Sequence, residues 1–149
     1  MKITFIAHSA FLVEWDKFYT LFDYVYEPDY TGTLPPLDPQ KPLLVFSSHS
    51  HEDHFDGKVF GLLEQYPLTQ FFVSRDTRLT ERRRKWLGIS DEAFARTTVL
   101  RPDSILLTEA AGEELSVRAI KSTDIGNAYL LRAEGKMVYH GGDLNWWHW

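Results

Sequence analysis

Ser48-His49-Ser50-His51-Glu52-Asp53-His54 decides how this chain reads: three imidazoles and two carboxylates fall within seven residues, directly after the apolar run Leu43-Leu44-Val45-Phe46. Imidazole nitrogen and carboxylate oxygen are the donors that suit zinc, iron and manganese, and a short loop leaving a strand can aim several of them at one point. On an extended segment His49 and His51 project to the same side, because side chains alternate with period two, and the turn that follows brings Asp53 and His54 in from another direction. The donors thus divide into two pairs, one for each of two adjacent ions. Half of the chain's six histidines lie in this stretch, a concentration that a loop of merely hydrogen-bonding histidines does not require.

Around that loop the composition sets limits. At 149 residues and 44% apolar, with 15% aromatic, the chain can build one core of ordinary domain size. No apolar run approaches the roughly 20 residues that span a bilayer, and the N-terminus lacks the pattern of a signal peptide. A cytoplasmic location with no membrane association is the expectation. There is no cysteine, so any metal must be held by nitrogen and oxygen. A net charge of −5 argues against general nucleic-acid binding, which calls for a basic footprint.

The chain shows no repeat and reads as a single domain over residues 1–149. Lys2 to Ala7, Phe11 to Trp15 and Phe18 to Tyr24 have strand patterning, the last two joined by a tight turn at Asp16-Lys17. Prolines 28, 35, 36, 39 and 42 keep Val25 to Pro42 out of regular ladders. That long loop is either a rim over the metal site or a plain surface connection. Asp56 is placed to cap a helix to about Tyr66 with Val59, Phe60, Leu62 and Leu63 as its buried stripe. A short strand at Phe71-Phe72-Val73 precedes a basic helix over about Thr77 to Leu87, ended by Gly88. Strands are expected again at Thr97 to Leu100, Ser104 to Thr108, Glu114 to Ile120, Ala128 to Ala133 and Lys136 to His140, with a hairpin turn at Glu134-Gly135.

The HxHxDH motif of His49, His51, Asp53 and His54 resembles that of the metallo-β-lactamase superfamily of metallohydrolases, and the resemblance runs from end to end. Ile3 to Glu14 is similar to the opening hairpin of the branch related to L-ascorbate-6-phosphate lactonase. Leu21-Phe22-Asp23-Tyr24 resembles that family's next strand and the aspartate that buttresses the metal loop. Lys136 to Asp143 resembles the strand that delivers its metal-bridging aspartate, here Asp143. The resemblance implies an α/β fold, the αββα sandwich, of which this chain holds roughly the first half plus the start of the second. A C-terminal truncation is therefore expected. The ending Leu144-Asn145-Trp146-Trp147-His148-Trp149 would expose an apolar patch unless a partner, such as a second copy in a homo-oligomer, covers it.

The resemblance also marks a gap. The family's next histidine would fall near Lys121-Ser122-Thr123-Asp124, where none is present. Asp124 can substitute through its carboxylate or simply turn the chain before Gly126, and a last histidine would be missing unless His148 serves. The implied ligands are His49, His51 and Asp143 at one position and Asp53, His54 and Asp143 at the other, for up to two ions. Zinc is the first expectation, with manganese or iron suited to the same donors.

Two cations about 3.5–4 Å apart would hold a shared water, lower its pKa to give hydroxide at neutral pH, and polarise a carbonyl or phosphoryl oxygen. Asp53 would be the catalytic residue, orienting the attack and relaying a proton. The expected function is a metal-dependent hydrolase of a small-molecule ester, lactone or phosphodiester. The alternative is a catalytically silent metal-binding or self-assembling half-domain.

Other polar residues carry less. His8 and His140 are either near the metal centre or strand-end histidines bonded to their surroundings. Arg75, Arg78, Arg82, Arg83, Arg84 and Lys85, with Asp76 and Glu81 interspersed, read as a solvated helix face, with attraction of an anionic substrate as the alternative. The chain has no phosphate-cradling glycine loop, nucleophile elbow or Cys-His pair.

Overall fold

A computed structural model describes residues 1–145. Two sheets lie face to face, and short helices cover the outer side of the first. The first sheet has six strands in sequence order: β1 (Lys2–Ala7), β2 (Ala10–Glu14), β3 (Tyr19–Phe22), β4 (Leu43–Ser47), β5 (Thr69–Ser74) and β6 (Thr97–Leu100). Strands β1 to β3 form an antiparallel meander, and β3 to β6 run parallel. The second is an antiparallel meander of β7 (Ile105–Ala110), β8 (Glu113–Lys121), β9 (Asn127–Ala133) and β10 (Lys136–His140).

The alternation of strand side chains sorts the core into two layers. In β4, Leu43 and Val45 face the helices, whereas Leu44 and Phe46 face the second sheet. Phe71 and Phe72 of β5 divide in the same way. This double burial explains why these strands are continuous apolar runs rather than alternating ones. Between the sheets Phe46 stacks on Phe22 and Phe72, and Leu115, Val117, Tyr129 and Leu131 close the layer from the other side.

The parallel connections carry the helices. Asp56 does cap, through the Lys58 N–H, but the expected single helix is split into a 3-10 turn (Gly57–Gly61) and α1 (Leu62–Gln65). Val59, Phe60 and Leu62 are buried as the pattern required, whereas Leu63, the fourth member of the expected stripe, is only half-buried. The basic helix is shorter than expected. Arg78 adopts a left-handed backbone (φ 49°), the Thr80 hydroxyl oxygen caps by accepting the Arg83 N–H, and α2 covers only Glu81–Trp86. An uninterrupted helix from Thr77 would need Arg78 in the right-handed region and Thr80 as an interior residue, where its hydroxyl competes with the helical bonds. A further helix, α3 (Asp91–Ala95), is capped by Ser90. It is too short for apolar periodicity to announce.

Both two-residue hairpins of the second sheet use left-handed pairs, Ala111-Gly112 (φ 52° and 75°) and the expected Glu134-Gly135 (φ 48° and 68°), matching the twist that such hairpins prefer. The outer face of this sheet is open among the described residues: Ile105, Leu107, Met137 and Tyr139 are all more than half exposed. The fold is thus a helix layer and two sheets, the α/β sandwich expected of the family, with no helix described over the second sheet. No helix is long and apolar enough to cross a membrane among the described residues. Trp146 to Trp149, including His148 and the aromatic patch, lie outside them.

The two faces of the second sheet should respond differently to the same substitution. Leu131→Ala, at a wholly buried inter-sheet position, is expected to cost about 2–5 kcal/mol in urea unfolding. Leu107→Ala on the open face is expected to stay within about 0.5 kcal/mol.

Candidate metal centre

Parallel strands in an open α/β sheet deliver ligand-binding groups at their carboxyl ends, and here three consecutive strands do so. Asp23 follows β3, Ser48 to His54 follow β4, and Asp76 follows β5. Asp23 is the centre of the arrangement. It is 1% exposed and sits in a left-handed conformation (φ 46°), which aspartate tolerates. Its Oδ1 accepts the Ser48 backbone N–H at 2.7 Å. Its Oδ2 accepts the Ser48 hydroxyl at 2.7 Å, His54 Nδ1 at 2.8 Å and His140 Nε2 at 2.7 Å. Burial alone would raise this carboxyl's pKa. The charges and hydrogen bonds of His140 and His54 outweigh burial and hold it well below the ordinary carboxylate value.

That network fixes the tautomers of two buried histidines. His54 donates Nδ1–H to Asp23, so in the neutral ring Nε2 is a lone pair pointing the other way. Ser48 has given its hydroxyl proton to Asp23 and therefore accepts from His49 Nδ1 at 2.9 Å, which leaves His49 Nε2 as a lone pair as well. Both Nε2 atoms face carboxylates. Asp143 Oδ2 is 3.7 Å from His49 Nε2, and Asp143 Oδ1 is 3.1 Å from His54 Nε2. Asp53 Oδ2 is 3.4 Å from His54 Nε2. His54 Nε2 is buried without a hydrogen-bond partner. Burial works to lower the pKa of His54, but Asp23, Asp143 and Asp53 together raise it above its ordinary value. Burial and the neighbouring His54 charge lower that of His49.

The donors gather into two groups, in each of which the ligand atoms lie within 4.8 Å of one another: His49, His51, Asp124 and Asp143 in one, His8, Asp53 and His54 in the other. His49 Nε2 and His51 Nδ1 are 3.0 Å apart. The division of the loop into a His49–His51 pair and an Asp53–His54 pair is the one its spacing suggests. Asp143, with one oxygen toward each group, stands between them. Asp124, read in the sequence either as a ligand or as a turn residue, brings its carboxylate into the first group. His8 does more than end a strand: its Nε2 meets Asp53 Oδ2 at 2.9 Å. Tyr30 of the proline-rich loop lies against the His8 ring, 4.8 Å between centroids, so that loop borders the centre. His140 belongs to the support, stacked on Phe22 at 4.7 Å and bonded to Asp23.

The second sheet is tied to the metal loop from behind. Asn127 N–H donates to the Ser48 carbonyl at 2.8 Å, the Tyr129 hydroxyl donates to the Ser47 carbonyl at 2.9 Å, and Ser122 holds the Asp143 carbonyl at 2.8 Å. Gly126, at φ 77°, lets the chain pass where a Cβ would overlap the Ser48 carbonyl and His49 Cβ; Gly142, at φ 60°, passes Ser48 in the same way. Asp76 was seen in the sequence only as a charge among arginines. Its Oδ2 accepts the Ser50 N–H at 2.8 Å, so it braces the loop from β5. Its position at the end of a strand parallel to β4 was the available signal.

Removing the Asp23 carboxylate would leave two buried imidazoles and the Ser48 N–H unpaired. Asp23→Ala is expected to cost about 3–5 kcal/mol in chemical denaturation, and Asp29→Ala at an exposed position no more than about 0.5 kcal/mol.

Comparison with known proteins agrees with this geometry. Residues 2–146 match the family model described as a beta-lactamase superfamily domain. The chain is 29% identical over 153 residues to a protein of Opitutus terrae named UPF0173 metal-dependent hydrolase, covering 96% of this chain and 63% of that protein. It thus spans a little under two thirds of that relative's length. A crystal structure described as a possible metal-dependent hydrolase from Veillonella parvula superposes with a TM-score of 0.55 at 17% identity, covering 97% of this chain and 64% of the other. A protein of unknown function from Enterococcus faecalis gives a TM-score of 0.54 at 17% identity, covering 91% and 40%. Those two likenesses concern the fold. With almost its whole length matched by the family model, the chain belongs to the beta-lactamase superfamily.

Proposed function

We propose that the chain is a metal-dependent hydrolase of a small-molecule ester, lactone or phosphodiester, acting in the cytoplasm, and that His49, His51, Asp53, His54 and Asp143 hold up to two divalent cations, zinc first and manganese or iron next. The observation that carries this reading is the facing of lone pairs on carboxylates. With their Nδ1 atoms engaged by Ser48 and Asp23, His49 and His54 turn their Nε2 atoms toward Asp53 and Asp143, as lone pairs whenever the rings are neutral, and His54 Nε2 is buried and unpartnered. Acceptor against acceptor is unfavourable without a positive charge between them, which either a second proton on His54, whose pKa these carboxylates raise, or a cation supplies, and a cation also draws in the neutral His49. A donor set of imidazole nitrogen and carboxylate oxygen, without thiolate, fits these cations.

In this assignment His49, His51 and Asp124 serve one position, His54 and Asp53 the other, and Asp143 joins the two. When bound, the cations supply Lewis-acid polarisation of the scissile group and a water acidified to near neutrality. The remaining work falls to the protein. Burial would raise the Asp53 carboxyl, but the His54 charge and the His8 hydrogen bond hold it below its ordinary value, so it is an acceptor at neutral pH. It can orient the attacking water and take its proton, while His8 Nε2, donating to its Oδ2 at 2.9 Å, holds the carboxylate in place. Tyr30, against His8, would narrow the approach from the proline-rich loop. The likeness of the opening hairpin to the ascorbate-6-phosphate lactonase branch supports a lactone among the substrates to be tried first.

A second reading is a self-assembling, catalytically silent metal module. It is favoured by the open face of Ile105, Leu107, Met137 and Tyr139, which a second copy of the chain could cover. Solution mass and turnover separate the readings: a tight dimer that binds metal without hydrolysing any ester would favour the module.

For the hydrolase, the double variant His51→Ala/Asp53→Ala is expected to lose divalent metal uptake, measured by elemental analysis after dialysis against zinc or manganese. Unchanged uptake would contradict the assignment. Asp53→Asn is expected to slow hydrolysis by about 10²–10⁴-fold. Equal rates in Asp53→Asn and the parent protein would remove Asp53 from the proton relay.

A further inference from the structure

Beside the histidine loop lies a cavity of about 660 Å³ whose wall includes Arg75, Arg78 and Arg83. Arg75, Arg78, Arg82 and Lys85 are exposed, in keeping with the solvated face expected of the run, but only Arg82 to Lys85 lie on the helix. Arg84 is engaged, with a forked hydrogen bond to Glu81. Arg75 and Arg78 lie before α2 rather than on it, and among the described residues Arg75, Arg78 and Arg83 form no salt bridge within 4 Å. Arg83 Nε is buried without a hydrogen-bond partner, and its guanidinium lies over the Phe55 ring at 6.0 Å. Ser74, wholly buried, also lines the cavity, and its Oγ is unpartnered.

The cavity and the candidate metal centre share a wall. Ser50, between His49 and His51, lines it, as do Ile125 and Gly126, directly after Asp124. The one carboxylate among its lining residues is Asp76: Oδ2 accepts the Ser50 N–H, and Oδ1 is buried near Gly126 without a hydrogen-bond partner. Three arginines and one unpartnered hydroxyl therefore line the cavity with a single carboxylate, one of whose oxygens is taken by the loop. Guanidinium forks pair with phosphate and carboxylate oxygens through charge-assisted hydrogen bonds. Arg78 is held at φ 49°, a conformation that costs a side-chain-bearing residue energy and which glycine would adopt without strain.

We infer that this cavity binds an oxyanion group, phosphate or carboxylate, of the substrate whose scissile bond lies at the adjoining centre. The inference rests on the hydrolase reading for the word substrate, but the anion site itself does not. Recognition there would fix one end of the molecule while the bond to be broken lies across Ser50 and Gly126. Neutral esters would then be poor substrates relative to anionic ones of the same reactivity.

The test begins with chelated, metal-free protein titrated separately with inorganic phosphate and with acetate, followed by amide NMR shifts and calorimetry. Saturable binding of at least one anion, with shifts at Ser50 and Gly126, is expected. Arg75→Ala/Arg78→Gly should weaken it about tenfold or more, and Arg82→Ala should leave it unchanged. A thermal melt guards against unfolding, since glycine at position 78 relieves backbone strain. Whichever of phosphate and acetate binds more tightly identifies the class. Binding of neither, or binding equally strong in the double variant, would overturn the inference. With metal restored, the double variant should raise KM for an anionic ester with little change in kcat and leave the KM of a neutral p-nitrophenyl ester as it was. Equal KM changes for both esters would overturn the substrate role. Anion binding without turnover of any ester would overturn the hydrolase reading instead and leave the anion site standing.

Discussion

A single buried carboxylate, Asp23, organises the centre. A charge at 1% exposure is stable only when its lone pairs are taken, and Asp23 draws four donors from three places: the Ser48 backbone and hydroxyl, His54 and His140. The consequence is chemical as well as mechanical. Each proton drawn toward Asp23, directly from His54 or through Ser48 from His49, turns the opposite ring nitrogen into a lone pair on the far side. Outer partners that set the tautomer and orientation of histidines in this way are a general feature of metal sites. In this chain one residue does so for both buried histidines of the loop.

The two sheets divide the remaining work. The first supplies the loop at the ends of its parallel strands, and its double-sided burial gives that loop a rigid base. The second brings Asp124 and Asp143 to the same point and closes against the loop through Asn127, Tyr129 and Ser122. The close passages at Gly126 and Gly142 show how little space separates the layers there. At the other surface of the second sheet the apolar side chains of β7 and β10 stay open, and the chain spans only part of the length of its relatives.

Much of the fold was legible because its signals are local. Continuous apolar runs marked β4 and β5, the left-handed pair Glu134-Gly135 marked a hairpin, and the histidine loop stood out by composition alone. What the sequence concealed depends on three-dimensional neighbours. Arg78 ends a turn instead of opening a helix because of a backbone conformation that no side-chain pattern reports. Asp124 stood open between ligand and turn residue, and His8 between the metal centre and a hydrogen-bonded strand end, until the packing of β8–β9 and β1–β2 brought them to the loop. Asp76 looked like a surface charge because its partner, the Ser50 amide, is 26 positions away. The arginine run likewise became a cavity wall only when its first members were seen to lie outside α2.

Anomalous scattering from crystals grown with zinc or manganese tests the central claim most directly, since it locates cations without reference to activity. Two peaks should flank Asp143, one beside His49 and His51 and one beside Asp53 and His54, with nitrogen and oxygen ligands at about 2.0–2.2 Å for zinc. A map with no peak at the loop, and with His49 and His54 Nε2 bonded to protonated carboxyls instead, would contradict it.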